Sequence, residues 1–157
     1  MKDLIVFISI SLLLFSCNSS VQAPETASTK KPMEGTWKLL TGTLIEKGDT
    51  VVTDYTKGKS FIKIINDDHF AFLTHDLSKG KNADSMFVAG GGGYSLNDST
   101  YTEHLEYCND RQWEGHDFPF TVTISNDTLI QKGIEKIDSI GVNRLNIEKY
   151  VRLKDQK

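Results

Sequence analysis

Short runs of β-branched and aromatic residues, separated by polar turns, repeat from Gly35 to Leu153 and constrain the fold more than any other feature. Turn sequences such as Asn66-Asp67-Asp68 and Asn126-Asp127 are typical of hairpins. No segment has a sustained apolar repeat of 3.6 residues, so helices are expected to be minor. The pattern predicts strands at residues 36–46, 60–65, 69–74, 85–96, 100–108, 118–125, 128–131 and 145–153.

Eight antiparallel strands in hairpin succession close most simply as an up-and-down barrel, which leaves no free sheet edge. We therefore predict an all-β, eight-stranded antiparallel barrel, with short helical pieces at 109–115 and 135–142. The four glycines Gly90 to Gly93 indicate a bend or bulge within a strand. A phosphate-binding loop is the alternative, but it needs a following helix, and here Tyr94-Ser95-Leu96 continues as strand.

The N-terminal residues predict where the protein acts. The apolar-leaning run from Leu4 to Phe15 would be about 18 Å long as a helix, too short for a hydrocarbon core of about 30 Å. It is typical of a cleavable signal peptide, and Leu14-Phe15-Ser16-Cys17 resembles a bacterial lipobox. The predicted organisation is a signal peptide at 1–16, a flexible tether at 17–32 that begins with lipidated Cys17, and a barrel domain at 33–157. An ordinary secretory signal is the alternative.

Charge and cysteine content exclude some classes. The formal net charge is −3, and it stays there after processing, because Lys2 and Asp3 are both removed. Nucleic-acid binding needs a basic face and is not expected. Once Cys17 is acylated, Cys108 is the one cysteine left, so core packing must hold the fold without an intrachain disulfide. Cys108 is expected to be a small buried hydrophobe.

Three motifs occur in order along the domain. They are Gly35-Thr36-Trp37, then Gly93-Tyr94 followed by Tyr101-Thr102-Glu103-His104-Leu105-Glu106-Tyr107, and last Glu148-Lys149-Tyr150-Val151-Arg152. Together they resemble the lipocalin-like lipoproteins of Bacteroidetes, many of which have unknown function. The resemblance implies a lipocalin-like barrel in which Trp37 plugs one end and Arg152 lies over it. A cation–π contact of this kind contributes roughly 0.5–2 kcal/mol.

Strand alternation predicts which side chains face the interior. In the first strand, Trp37, Leu39, Thr41, Thr43 and Ile45 share a face. If Trp37 and Arg152 are inside, then Glu148 and Tyr150 are inside as well, and Tyr101, Glu103, Leu105 and Tyr107 form the better interior face of their strand. The candidate ligand-binding residues are therefore Tyr94, Tyr101, Glu103, Tyr107, Glu148 and Tyr150.

The interior could serve two purposes. Buried charges need partners, so Glu103 or Glu148 is expected to pair with Arg152. These residues could line a ligand pocket, or they could form a hydrogen-bond network that locks a filled barrel. Both alternatives stay open on the sequence.

The leading functional hypothesis is a lipid-anchored envelope protein that binds a small, partly hydrophobic molecule. The alternative is a protein-interaction module (an envelope assembly factor, inhibitor or immunity lipoprotein) that uses Arg111 and Trp113, residue types enriched at interaction hot spots. No nucleophile elbow or metal-ligand spacing occurs, so neither an enzyme nor a metal or other cofactor is expected. Asn18-Ser19-Ser20 lacks the acidic cluster that resembles a surface-export signal, which favours the periplasmic side of the outer membrane.

Overall fold

The computed structural model describes residues 31–83 and 85–154 of the chain. The predicted signal peptide (1–16), the lipidated Cys17 and the tether as far as residue 30 lie outside the described residues. Within the described part, no helix has the length and apolar character needed to cross a membrane.

Nearly all of the regular structure is antiparallel strand. The strands are β1 Gly35–Glu46, β2 Asp49–Asp54, β3 Lys59–Ile65, β4 His69–Asp76, β5 Phe87–Asn97, β6 Thr100–Cys108, β7 His116–Ser125, β8 Thr128–Ile137 and β9 Val142–Arg152. Two 3₁₀ helices of three residues each, Arg111–Trp113 and Asp138–Ile140, complete the described elements.

The sheet closes on itself. From β3 onward each strand pairs with the next, and β1 pairs with β9 from Trp37 to Ile45. β2 and β3 both pair with the same edge of β1, along Thr41–Glu46 and Gly35–Lys38 respectively, so together they occupy one position around the barrel. The protein is therefore an eight-stranded antiparallel up-and-down barrel, which confirms the predicted fold class.

Several boundaries differ from the prediction. β2 was not predicted, because Val51 and Val52 are both largely exposed and so give no alternation of apolar and polar residues. β8 continues to Ile137 and β9 begins at Val142, so the predicted helical piece at 135–142 shrinks to one 3₁₀ turn. The predicted piece at 109–115 does contain a 3₁₀ turn.

A β-bulge at Leu40 interrupts the pairing of β1 with β9. One extra residue reverses the alternation of side chains beyond it. Trp37 therefore faces the interior before the bulge, and Leu44 lines the interior after it. The expectation that Thr41, Thr43 and Ile45 share the face of Trp37 is wrong for this reason.

A second bulge lies where the glycine run of β5 meets β6. Gly91 pairs with Tyr107 and Gly92 pairs with Leu105, so Glu106 is the extra residue. A Cβ atom on Gly92 would overlap the backbone of β6, so the two strands approach more closely there than a side chain allows. The predicted bend at the glycines is confirmed. Beyond it the alternation reverses, and Tyr107 is 67% exposed rather than interior.

The two ends of the barrel differ. The start of β1 and the tight turns at 66–68, 97–99 and 126–127 gather at one end, which large buried side chains close. The longer connections at 77–86 and 109–115 lie at the opposite end. Asp76 fixes the first of these connections, since its carboxylate accepts hydrogen bonds from the backbone N–H groups of Gly80 and Met86, both at 3.0 Å.

Candidate functional site

A cavity of about 470 Å³ occupies the half of the barrel that opens between the longer connections. Its volume falls within the range of small-molecule sites, about 300–1,000 Å³. Aromatic side chains make up much of its wall: Tyr55, Phe61, Phe72, Trp113, Phe118 and Phe120. The wall is therefore suited to contact with an apolar molecule.

A buried lysine organises the polar floor beneath this cavity. Lys63 on β3 is 2% exposed, and its Nζ donates to Glu103 Oε1 at 2.5 Å and to Gln131 Oε1 at 3.1 Å. Its distance to Glu148 Oε2 is 3.8 Å. Glu103, Gln131 and Glu148 line the cavity, whereas Lys63 lies behind them.

Three aromatic rings lie close to the Lys63 ammonium. Its Nζ lies 5.4 Å from the ring centroid of Tyr150, 5.8 Å from that of Phe70 and 6.0 Å from that of Tyr101. Rings at these distances stabilise a cation through their quadrupoles. Lys63 is thus held by the floor itself and is not free to pair with a ligand.

The floor has more carboxylates than cations. Burial alone would lower the pKa of Lys63, but Glu103 and Glu148 outweigh this effect and raise it, so the ammonium stays charged. Burial raises the pKa of Glu103, and the attraction of Lys63 offsets only part of the rise. The raised pKa of Lys63 reflects two carboxylates near one ammonium, whereas that of Glu103 reflects burial first. One ammonium beside two carboxylates leaves an excess negative charge when both are ionised.

Glu148 is the member of this group that is most open to the cavity. Its side chain is 14% exposed, against 9% for Glu103 and 3% for Lys63. Its Oε2 accepts a hydrogen bond from the Tyr150 hydroxyl at 2.7 Å. Burial, followed by the charge of Glu148, raises the pKa of Tyr150 well above its usual value, so this hydroxyl stays protonated and keeps donating.

A second polar group lies nearer the mouth. Glu135 on β8 accepts from Arg144 Nε at 2.6 Å through Oε2 and from Asn146 Nδ2 at 2.8 Å through Oε1. The Arg144 guanidinium stacks over Trp113, 4.9 Å from the ring centroid. Both carboxylate oxygens of Glu135 therefore accept hydrogen bonds, whereas Glu148 at the floor accepts one, from Tyr150.

The predicted plug residues meet at the closed end. The Arg152 guanidinium carbon lies 4.0 Å from the ring centroid of Trp37. Trp37 is fully buried and donates from Nε1 to the Met33 carbonyl oxygen at 2.8 Å. A Cβ atom on Gly35, whose φ is +140°, would lie 2.6 Å from Arg152 Nη1. The positive φ, which residues with a side chain rarely adopt, explains the glycine of the Gly-Thr-Trp motif, and Arg152 occupies the space beside it.

The expected pairing of Arg152 with Glu103 or Glu148 is wrong. Arg152 instead donates to the backbone carbonyls of Glu34 at 2.5 Å and Pro32 at 2.6 Å. It reaches the closed end of β9, where the N-terminal segment supplies oxygen atoms. The two interior glutamates pair with Lys63.

The six candidate ligand-binding residues separate into four locations. Glu103 and Glu148 line the cavity, while Tyr101 and Tyr150 are fully buried around Lys63. The Tyr101 hydroxyl makes no hydrogen bond of regular geometry among the described residues, and burial and then the charge of Glu103 raise its pKa. Tyr94 lies towards the closed end, where its hydroxyl donates to the Asn66 carbonyl at 2.9 Å. Tyr107 is on the outer wall.

Sequence reasoning missed Lys63, Gln131, Glu135, Arg144 and Asn146. One signal was available for Lys63: it lies two residues after Phe61 and two before Ile65, so strand alternation places it on the same face as these apolar side chains. Lysine is so seldom fully buried that the pattern carries little weight without a known partner.

The remaining predicted features are near the mouth or outside. Trp113 is half-buried, packs on Phe118 with ring centroids 5.7 Å apart and lines the cavity, whereas Arg111 is exposed and pairs with Glu114 at 2.7 Å. Cys108 is half-buried in the cavity wall, and burial raises the pKa of its thiol. Within residues 31–83 and 85–154, no three His, Cys, Asp or Glu side chains converge on a point that could hold a metal ion.

A closed antiparallel barrel of eight strands, with one plugged end and an open aromatic-walled cavity, defines a lipocalin-like β-barrel protein. The chain belongs to the family described as domain of unknown function DUF4488, whose model matches residues 32–157. A comparison with curated proteins found no match.

Proposed function

We propose that this protein is a lipid-anchored envelope protein that binds one small, partly hydrophobic molecule in the open half of its barrel. The observation that carries the proposal is the cavity of about 470 Å³, with aromatic walls above a floor of buried polar side chains. Apolar walls with a few fixed polar groups are the usual composition of a small-molecule site. The proposed role is binding, without a catalytic step.

The two uses of the interior are compatible in this barrel. The Lys63 group fills the barrel at the level of the floor and fixes β3, β6, β8 and β9 relative to one another. The space above it is unfilled by side chains. A network that locks the fold can therefore serve as the preorganised base of a binding site.

The anchor part of the proposal rests on the sequence Leu14-Phe15-Ser16-Cys17. A lipoprotein-type anchor carries several acyl chains, and two or more hold a protein stably at a bilayer. The tether would join the barrel at Gly35, which lies at the closed end. The mouth is at the opposite end, so the anchor would leave it accessible on the periplasmic side of the outer membrane.

Native mass spectrometry of the full-length protein, extracted from its own membranes, tests the binding function. We expect a stoichiometric small-molecule adduct that is lost on unfolding. Val88→Trp should remove the adduct, because Val88 lines the cavity and an indole there would take up space that the ligand needs. Phe87→Trp is the matched control, since Phe87 is the neighbouring residue and is 63% exposed.

A bare mass for the unchanged protein, or an adduct that survives in a folded Val88→Trp variant, would contradict the proposal. The protein-interaction alternative would then gain weight, with Trp113 as its main residue. The half-buried position of Trp113 on Phe118 and beneath Arg144 favours a role at the cavity mouth instead.

A further inference from the structure

We infer that the cavity selects amphipathic molecules that carry a cationic group, an amine or guanidinium joined to an apolar body, and that Glu148 binds this group. The inference rests on the proposed function and adds the chemical class of the ligand.

The first argument is the charge of the cavity lining. Four acidic side chains and one basic side chain line it: Glu103, Asp110, Glu135, Glu148 and Arg144. Arg144 is already paired with Glu135 at 2.6 Å and stacked over Trp113. The lining therefore contains more carboxylates than basic groups to pair with them, and an entering ligand meets this excess of negative charge.

The second argument concerns the buried lysine, which could otherwise attract an anion. Lys63 is 2% exposed, does not line the cavity, and donates to Glu103 and Gln131. A carboxylate ligand would have to break these bonds and would then lie beside Glu103 and Glu148. Like charges at such separations repel more strongly inside a protein than in bulk water. The floor is thus unsuited to an anionic head group.

The third argument is that Glu148 accepts few hydrogen bonds. It is separated from the Lys63 ammonium by 3.8 Å, beyond hydrogen-bond distance, and it accepts from one donor, the Tyr150 hydroxyl. A carboxylate has about four acceptor positions. A ligand ammonium on the cavity side would supply the missing donor and would neutralise the excess negative charge of the floor. Charge-assisted hydrogen bonds of this kind are stronger than neutral ones.

The aromatic wall of the cavity also suits an amphipathic cation. Tyr55, Phe61 and Phe72 lie on one side of the cavity and contact one another as a ring cluster, with centroid separations of 5.8 and 5.9 Å. Aromatic faces favour both an apolar body and a nearby cation. An acidic floor under such a wall fits an aryl- or alkylamine better than a fatty acid or a neutral lipid.

Three probes of the same shape test the inference: 4-phenylbutylamine, 4-phenylbutan-1-ol and 4-phenylbutanoate. Each is titrated calorimetrically into the full-length protein in one detergent at pH 7. We expect the amine to bind at least tenfold more tightly than the alcohol, and the carboxylate to bind more weakly than the alcohol. This comparison needs no variant, so it does not depend on the folding of a mutant.

Glu148→Gln tests the assigned residue. The amide keeps an oxygen acceptor for Tyr150 but removes the charge, so the affinity for the amine should fall about tenfold while that for the alcohol changes less than twofold. Glu106→Gln is the matched control, because Glu106 is exposed on the outer wall of β6. It should leave all three affinities unchanged.

The outcomes separate the two proposals. If none of the three probes binds, the binding function fails and this inference fails with it. If the probes bind without preference, or the carboxylate binds best, binding stands and the cationic ligand class is overturned. An amine preference that persists in Glu148→Gln overturns the assignment of Glu148.

Discussion

Replacing Lys63 with methionine would remove the single cation of the barrel floor and leave Glu103 buried without its partner. Breaking a buried pair in this way costs about 3–5 kcal/mol. The cost has an upper limit, because Glu103 can bind a proton instead. From its usual pKa of 4.5, protonation costs about 1.36 kcal/mol per pH unit, which is about 3.4 kcal/mol at pH 7 and about 0.7 kcal/mol at pH 5.

We therefore expect Lys63→Met to lower the free energy of unfolding by about 3 kcal/mol at pH 7 and by about 2–3 kcal/mol less at pH 5. The sign follows from proton binding: without Lys63 the folded state binds a proton at Glu103 more tightly than the unfolded state does, so the variant gains stability as pH falls from 7 towards 4.5. Urea unfolding at both pH values, followed by circular dichroism, measures this difference.

Two further variants sharpen the test. Lys132→Met, on an exposed position of β8, should change the unfolding free energy by less than about 0.5 kcal/mol at either pH. Adding Glu103→Leu to Lys63→Met removes the unpaired carboxylate and should recover most of the loss, since apolar replacement of a whole buried pair is often neutral. A loss below 1 kcal/mol for Lys63→Met, equal at pH 7 and pH 5, would refute the charge argument.

Three other expectations can be measured independently. Trp37→Ala should destabilise the protein by about 3–5 kcal/mol in urea unfolding, because the indole is fully buried at the closed end; a change under 1 kcal/mol would contradict its role as a plug. Cys17→Ala should abolish acylation and membrane retention in cell fractionation, and unchanged retention would exclude the anchor. The raised pKa of Tyr150, caused first by burial and then by Glu148, means that the folded state keeps a proton that the unfolded state releases above pH 10. This contribution to stability is complete below pH 10 and is lost as pH rises, and Tyr150→Phe should flatten the alkaline decline by up to about 1.36 kcal/mol per pH unit; identical slopes would refute the assignment.

The fold was predictable because hairpin turns and strand alternation are local signals. They predicted all eight positions around the barrel, and hairpin succession then favours closure. What they could not predict is where the alternation reverses. The bulges at Leu40 and Glu106 depend on the approach of neighbouring strands, a tertiary feature. Tyr107 was misplaced for this reason, although the glycines opposite Glu106 indicated that some irregularity lay nearby.

The site was predictable in part. Glu103 and Glu148 were placed on interior faces correctly, because Glu103 lies before the bulge of β6 and β9 contains no extra residue. Their partner was not predictable in the same way. Arg152 was the basic residue already expected inside, whereas no interior face was predicted for the strand that carries Lys63. Position along the barrel determines which basic residue can pair with the two glutamates. Arg152 is at the closed end, and Lys63 is at the level of the two glutamates.

Lys63 and its two glutamates lie deep in the barrel. They can therefore both join strands to one another and form the base of the cavity. Lys63 is bonded to side chains from β6 and β8 and lies near Glu148 of β9, so it couples strands on opposite sides of the barrel. A purely structural pair would need one carboxylate, and a second one beside it adds repulsion that the fold must offset elsewhere. Glu148 is that second carboxylate, and it is the one that borders the cavity. A second carboxylate beside one ammonium is accounted for if a cationic ligand completes the group, since the ligand then supplies the cation that the floor lacks.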